Sequence, residues 1–115
     1  MHGFCHIEIP TTNSHKSKVF YSGVFGWKMN ESTPDYTMFS TPDDDGGGFT
    51  TASKPATDGV VLYIKVEDIE KKLKEIENAG GTTVKPKTGI SEEFGFYALF
   101  TDPCGNIMGL WSKTG

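Results

Sequence analysis

His6 and Glu8 stand two residues apart in Phe4-Cys5-His6-Ile7-Glu8-Ile9-Pro10, a run that reads as a strand stopped by proline. On a strand the two share one face about 7 Å apart, with Cys5, Ile7 and Ile9 on the other. An imidazole held by a carboxylate can work as a general base with its orienting partner, so this pair is the candidate catalytic group. The same two side chains can also line a cavity without doing chemistry. Tyr63, Lys65 and Trp111 are the candidate ligand-binding residues. Two aromatic faces can stack a small molecule, and an ammonium can hold an anionic group. The rings serve equally well as core or interface aromatics, and a lysine at a strand end is commonly solvated.

Other constellations carry less. His2, Cys5, His6 and Glu8 are close in sequence, but an extended chain puts His2 and His6 about 13 Å apart and turns Cys5 to the opposite face. His6 and Glu8 alone are two donors, whereas a divalent ion takes three or four protein ligands. The expectation is therefore no metal and no cofactor. Asp43-Asp44-Asp45 lacks the spaced ligands and distant glutamate of a calcium loop and reads as a solvated hairpin turn. Gly80-Gly81-Thr82-Thr83 lacks the Gly-Lys-Ser/Thr order of a phosphate loop. Cys104 has no visible base beside it to make a nucleophile.

Composition narrows the partners. The 115 residues fit one domain, with 11 basic residues against 15 acidic ones and a formal charge of −4. Every basic residue is a lysine. An acidic chain without arginine lacks the footprint of a nucleic-acid binder, and it lacks the bidentate grip suited to strongly anionic substrates. No apolar run approaches the roughly 20 residues that span a bilayer. The N-terminal residues show no basic region followed by an apolar stretch, and the two cysteines have no C-x-x-C spacing. These features give the expectation of a cytoplasmic protein with reduced thiols, no nucleic-acid partner and no membrane partner.

The elements that must position these residues repeat. A strand at Phe4–Pro10 leads to a helix from about Ser14 to Val24, capped by Asn13 and anchored by Val19, Phe20 and Val24. A strand at Val60–Val66 leads to a helix from Ile69 to Ala79, opened by Asp68 and closed by Gly80-Gly81. Ile69, Leu73 and Ile76 form its apolar stripe, and its polar face offers pairs such as Glu70–Lys74. Tyr36-Thr37-Met38-Phe39-Ser40 echoes Tyr97-Ala98-Leu99-Phe100-Thr101. Each is followed by a turn rich in Asp, Pro and Gly, at Pro42 to Gly48 and at Asp102 to Gly105. Each half reads strand, helix and three strands, so the chain is α+β with two βαβββ modules. Apolar strand faces pack under the helices; the mixed faces, with His6, Glu8, Tyr63, Lys65 and Trp111, line a concave sheet surface.

His6-Ile7-Glu8-Ile9 followed by Phe20-Tyr21-Ser22-Gly23-Val24-Phe25-Gly26-Trp27 resembles the opening of the vicinal oxygen chelate superfamily. That superfamily contains glyoxalase I, bleomycin-resistance proteins and extradiol dioxygenases. Ala79-Gly80-Gly81 and Phe100-Thr101-Asp102-Pro103-Cys104-Gly105-Asn106 resemble its second module, and Gly109-Leu110-Trp111 resembles the branch of enzymes related to lactoylglutathione lyase. The resemblance implies one glyoxalase-like domain over 1–115, with modules at about 1–54 and 57–113, paired into a cupped mixed sheet with the helices outside. It also implies a homodimer. In metal-dependent members one divalent ion is held from the first and last strands of each module. On this chain those places are His6, Val61, a residue near Gly48, and Gly109, and only His6 can coordinate strongly.

Two functions follow from the resemblance and the residues together. One is a lyase or isomerase related to lactoylglutathione lyase, working without the metal through His6 and Glu8. The other is a non-catalytic binder, resembling bleomycin-resistance proteins, that sequesters a small molecule against Trp111, Tyr63 and Glu8. The chain's acidity mildly favours a cationic ligand for the second.

Overall fold

The computed structural model describes residues His2–Gly115, with Glu31 and Ser32 described by their backbone alone. Internal contacts divide the chain into two units, residues 1–55 and 56–115. Module 1 contains β1 (Ile7–Pro10), α1 (Ser14–Phe25), β2 (Lys28–Thr33), β3 (Tyr36–Ser40) and β4 (Gly46–Thr50). Its strands form one sheet in the order β1-β4-β3-β2, with β1 parallel to β4 and the other neighbours antiparallel. Module 2 contains β5 (Tyr63–Lys65), α2 (Ile69–Asn78), β6 (Thr82–Ser91), β7 (Gly95–Thr101) and β8 (Ile107–Ser112). Its order is β5-β8-β7-β6, again with only the first pair parallel. The parallel pair follows from the crossover helix, which returns the chain to the same end of the sheet. Two α+β modules of one pattern are the architecture the repeat predicts.

The helices begin where their caps stand. The Asn13 side chain accepts the Lys16 N–H at 3.1 Å, and that of Asp68 accepts the Lys71 N–H at 3.1 Å. α1 ends at Gly26, whose φ of 70° lets its N–H reach the Ser22 carbonyl. In α2 the stripe Ile69, Leu73 and Ile76 is buried as the spacing predicts, and Lys72 pairs with Glu75 at 2.8 Å. α1 buries Ser17, Phe20, Tyr21 and Val24, an i, i+3, i+4, i+7 stripe. Val19 lies off that stripe and is 56% exposed, so it is not the anchor its type suggests. Neither helix is long and apolar enough to cross a membrane.

The motifs that carry the family resemblance are structural. Tyr21 stacks on Trp27 at 4.7 Å, and Trp27 stacks on Phe39 at 4.7 Å, so the F-Y-x-x-V-F-G-W run supplies an aromatic core beneath module 1. In D-P-C-G-N the buried Asp102 carboxylate accepts the backbone N–H groups of Cys104 and Asn106 at 3.0 Å each and the Asn106 amide at 2.9 Å. That turn joins β7 to β8 and sets their register, and with it the placement of Trp111.

Two expectations change. The strand ladders are shorter than the apolar runs: β1 starts at Ile7, paired with Gly47, and leaves His6 just ahead of it. β5 is reduced to Tyr63–Lys65, and Val60 is 87% exposed because the ladder to β8 ends before it. The expected turn from Pro42 to Gly48 closes early, where the Thr41 N–H donates to the Asp45 carbonyl at 2.8 Å. Gly46, Gly47 and Gly48 then form the start of β4, between β1 and β3. Glycine is needed there, since a Cβ on Gly47 would lie 1.9 Å from the Ile7 carbonyl oxygen.

Candidate functional site

Each module presents one sheet face away from its helix. In module 1, β1 and β4 pair Glu8 with Gly48, and β3 and β4 pair Met38 with Gly48, so these three share a face. Tyr36, two residues before Met38, lies on the same face. Its ring covers Gly48, where a Cβ would sit 2.2 Å from the ring. The Tyr36 hydroxyl lies 2.6 Å from Nε2 of the exposed His6. The two rings are within 9° of coplanar, which is an edge-to-edge hydrogen-bonded pair.

Glu8 acts on the same hydroxyl. Burial first, then a hydrogen bond with Glu8 and its negative charge, hold the Tyr36 phenol above the ordinary tyrosine value. In the His6–Tyr36 hydrogen bond the phenol O–H donates to a bare Nε2, or an Nε2–H donates to the phenol oxygen, according to the imidazole tautomer. The His6 ring thus bonds to a tyrosine that strand alternation alone does not pair with it. Because the folded value is raised, the neutral phenol is stabilising below the ordinary tyrosine value, and that contribution is lost as pH rises through the folded value. Tyrosinate absorbance is expected to show one late-titrating tyrosine that disappears in Tyr36→Phe and titrates earlier in Glu8→Gln. An unchanged titration in Tyr36→Phe would contradict this.

In module 2 the corresponding face is aromatic. Tyr63, Ile90, Tyr97 and Trp111 line an open concavity of about 390 Å³. Tyr63 meets Tyr97 edge-on at 6.3 Å. Trp111 donates Nε1–H to the Phe94 carbonyl at 2.7 Å, which ties the indole to the β6–β7 turn. Lys65 pairs in register with Trp111, on the same face but outside the concavity's lining. Lys85 places its Nζ 5.8 Å from the centre of the Tyr97 ring. Of the sequence-derived residues, Tyr63 and Trp111 are thus brought together, with Lys65 beside them. Ile90, Tyr97 and Lys85 were missed. The Tyr36–Tyr97 echo was the available signal for both tyrosines.

The modules handle the same glycine differently. Gly48 is covered by Tyr36 from β3, whereas Gly109 is covered by Tyr63 from β5, with a Cβ there 2.4 Å from the ring. These are two of the four places the resemblance assigns to metal ligands. A third, Val61, carries no donor atom. Among the described residues no three His, Cys, Asp or Glu side chains gather as a metal site. The residues at the four places do not fit the implied ion.

The sequence profile of the Glyoxalase/Bleomycin resistance protein/Dioxygenase superfamily matches residues 3–110. A glyoxylase-like domain-containing protein of Didymella fabae is 27% identical over 95% of this chain and 92% of its own length. A family enzyme from Burkholderia phytofirmans superposes with a TM-score of 0.82 at 20% identity, covering 96% of this chain and 98% of that one. The fosfomycin resistance protein FosX of Listeria monocytogenes, solved with Mn(II) and sulfate, gives a TM-score of 0.83 at 14% identity over 99% and 92% of the two chains. With a profile match over nearly its whole length and a fold shared with these structures, the chain belongs to the Glyoxalase/Bleomycin resistance protein/Dioxygenase superfamily.

Proposed function

We propose that this chain binds a small, flat organic molecule with a single negative charge, such as an aromatic carboxylate, and holds it without changing it. The observation that carries this reading is the concavity walled by Tyr63, Tyr97 and Trp111. Three rings can grip a conjugated ligand on its faces and edges. The charge preference is local. Lys65 and Lys85 share the sheet face with these rings, and Thr88, Leu99 and Gly109, in register there, carry no charge. The nearby charges therefore outweigh the formal −4 of the chain, reversing the preference for a cation that overall acidity suggests. Two point charges without an arginine fork suit one carboxylate better than a dianion.

A thermal-shift screen of matched aromatic acids and amines tests the reading. Acids are expected to raise Tm by roughly 10 °C at a hundredfold excess over Kd, and to be recovered unchanged. Stabilisation by the amines alone would overturn the charge assignment. Stabilisation by neither would overturn the reading itself.

A second reading, a lyase or isomerase related to lactoylglutathione lyase, is favoured by the His6–Tyr36 contact at 2.6 Å. Turnover of a hemithioacetal, lost in His6→Ala, would establish it over simple binding. Both readings carry a cytoplasmic homodimer with them, and sedimentation as a monomer at working concentration would count against the dimer.

A further inference from the structure

We propose that Tyr36 stands in the place of a metal ion in module 1, its hydroxyl engaging His6 Nε2 and its ring covering Gly48, so that this face rejects divalent cations. This goes beyond either reading above and holds whether or not the chain is an enzyme.

Three observations carry it. The first is spatial: the Tyr36 ring occupies the volume that any side chain at residue 48 would need, since a Cβ there meets ring carbons and the hydroxyl oxygen between 2.2 and 2.4 Å away. No carboxylate at residue 48 can share the face with that ring in place. The second is the 2.6 Å contact, which uses Nε2 of His6, leaving Nδ1 as the ring's one available nitrogen. The third is the face itself. Its register residues are Glu8, Met38 and Gly48, so after His6 the one remaining strong ligand is Glu8. Two donors fall short of the three or four that hold a divalent ion.

With Nε2 engaged by the Tyr36 hydroxyl, His6 Nδ1 has no hydrogen-bond partner among the described residues. Tyr36 is thus a positioning residue, doing for the histidine what a directly bonded carboxylate does elsewhere.

The test is a titration of the full chain with MnCl2, read as broadening of the His6 ring signals in NMR spectra, with His6→Gln used to assign them. The wild-type chain is expected to show no saturable broadening. The double variant Tyr36→Ala/Gly48→Glu, which removes the ring and adds a carboxylate, is expected to bind Mn²⁺ about tenfold tighter or more. Stoichiometric Mn²⁺ at His6 in the wild type would overturn the proposal. So would a double variant with a native far-ultraviolet spectrum that binds no better than wild type. Should that variant fail to fold, Tyr36→Phe leaves the ring on Gly48 and removes only the hydroxyl. Its His6 Nε2 resonance is expected to move, and an unmoved resonance would equally overturn the proposal.

Discussion

Gly47→Ala is expected to destabilise module 1 by roughly 3 kcal/mol, at the top of the range for overpacking a well-packed site. The added Cβ would lie 1.9 Å from the Ile7 carbonyl oxygen and 2.7 Å from the Phe39 ring. The first contact decides the outcome. Ile7 is the residue that pairs with Gly47, so its carbonyl cannot retreat without parting β1 from β4. Loss of that pairing also frees the segment that carries His6 and Glu8. Gly23→Ala is the internal control, because Gly23 lies within α1 and a Cβ there meets nothing within 4 Å. It is expected to stabilise by roughly 0.5–1 kcal/mol through the higher helix propensity of alanine. Urea denaturation of both variants checks the pair. A Gly47→Ala midpoint equal to or above that of wild type would contradict the close approach of β1 to β4.

The same glycines show where sequence reasoning succeeds and where it stops. Asn13, Asp68, Gly26 and the stripe Ile69, Leu73 and Ile76 act through neighbours within a turn or two, so their roles are legible in residue order alone. The internal repeat makes the βαβββ pattern legible as well, because two copies of a noisy signal reinforce one another. Gly46, Gly47 and Gly48 are different. Three successive glycines after three aspartates carry every local mark of a turn. Their inclusion in β4 is dictated by β1 and β3 on either side, which are distant in sequence.

The candidate site divides along the same line. Strand alternation places His6 with Glu8, and Tyr63 with Lys65 on the module 2 sheet face away from its helix, because parity is a local property of a strand. It cannot say that a tyrosine 30 residues from His6 would join it by a hydrogen bond. Nor can it say that Tyr63 would lean over Gly109 while its counterpart Glu8 leaves Gly48 to Tyr36. An empty side-chain position in sequence is a filled volume in the structure, and which neighbour fills it depends on rotamer and register. The absence of a donor at Gly48 and Gly109 is legible in residue type, whereas the rings that cover those two glycines are visible only in three dimensions.

Trp111→Ala is expected to cost the module 2 concavity most of its ligand affinity, about 30-fold or more, the loss expected of a central aromatic anchor. The indole forms one wall of the space between Tyr63 and Tyr97, and its hydrogen bond to Phe94 at 2.7 Å holds that wall in place before any ligand arrives. Preorganisation of this kind lowers the ordering cost of binding, so the truncation removes both contact area and a fixed surface. Trp111→Phe separates the two, since it keeps an aromatic face and drops the hydrogen bond. Its loss should be nearer fivefold, equivalent to about 1 kcal/mol for one hydrogen bond. The chain has two tryptophans, and the other is Trp27, packed between Tyr21 and Phe39 in the module 1 core. A ligand at the concavity must therefore change the emission of Trp111 and leave that of Trp27 alone. Titrating an aromatic acid found by thermal shift is expected to alter the fluorescence of the wild-type chain and not that of Trp111→Ala. A change that persists undiminished in Trp111→Ala would place the ligand elsewhere, and unchanged affinity in that variant would remove the concavity from the binding site altogether.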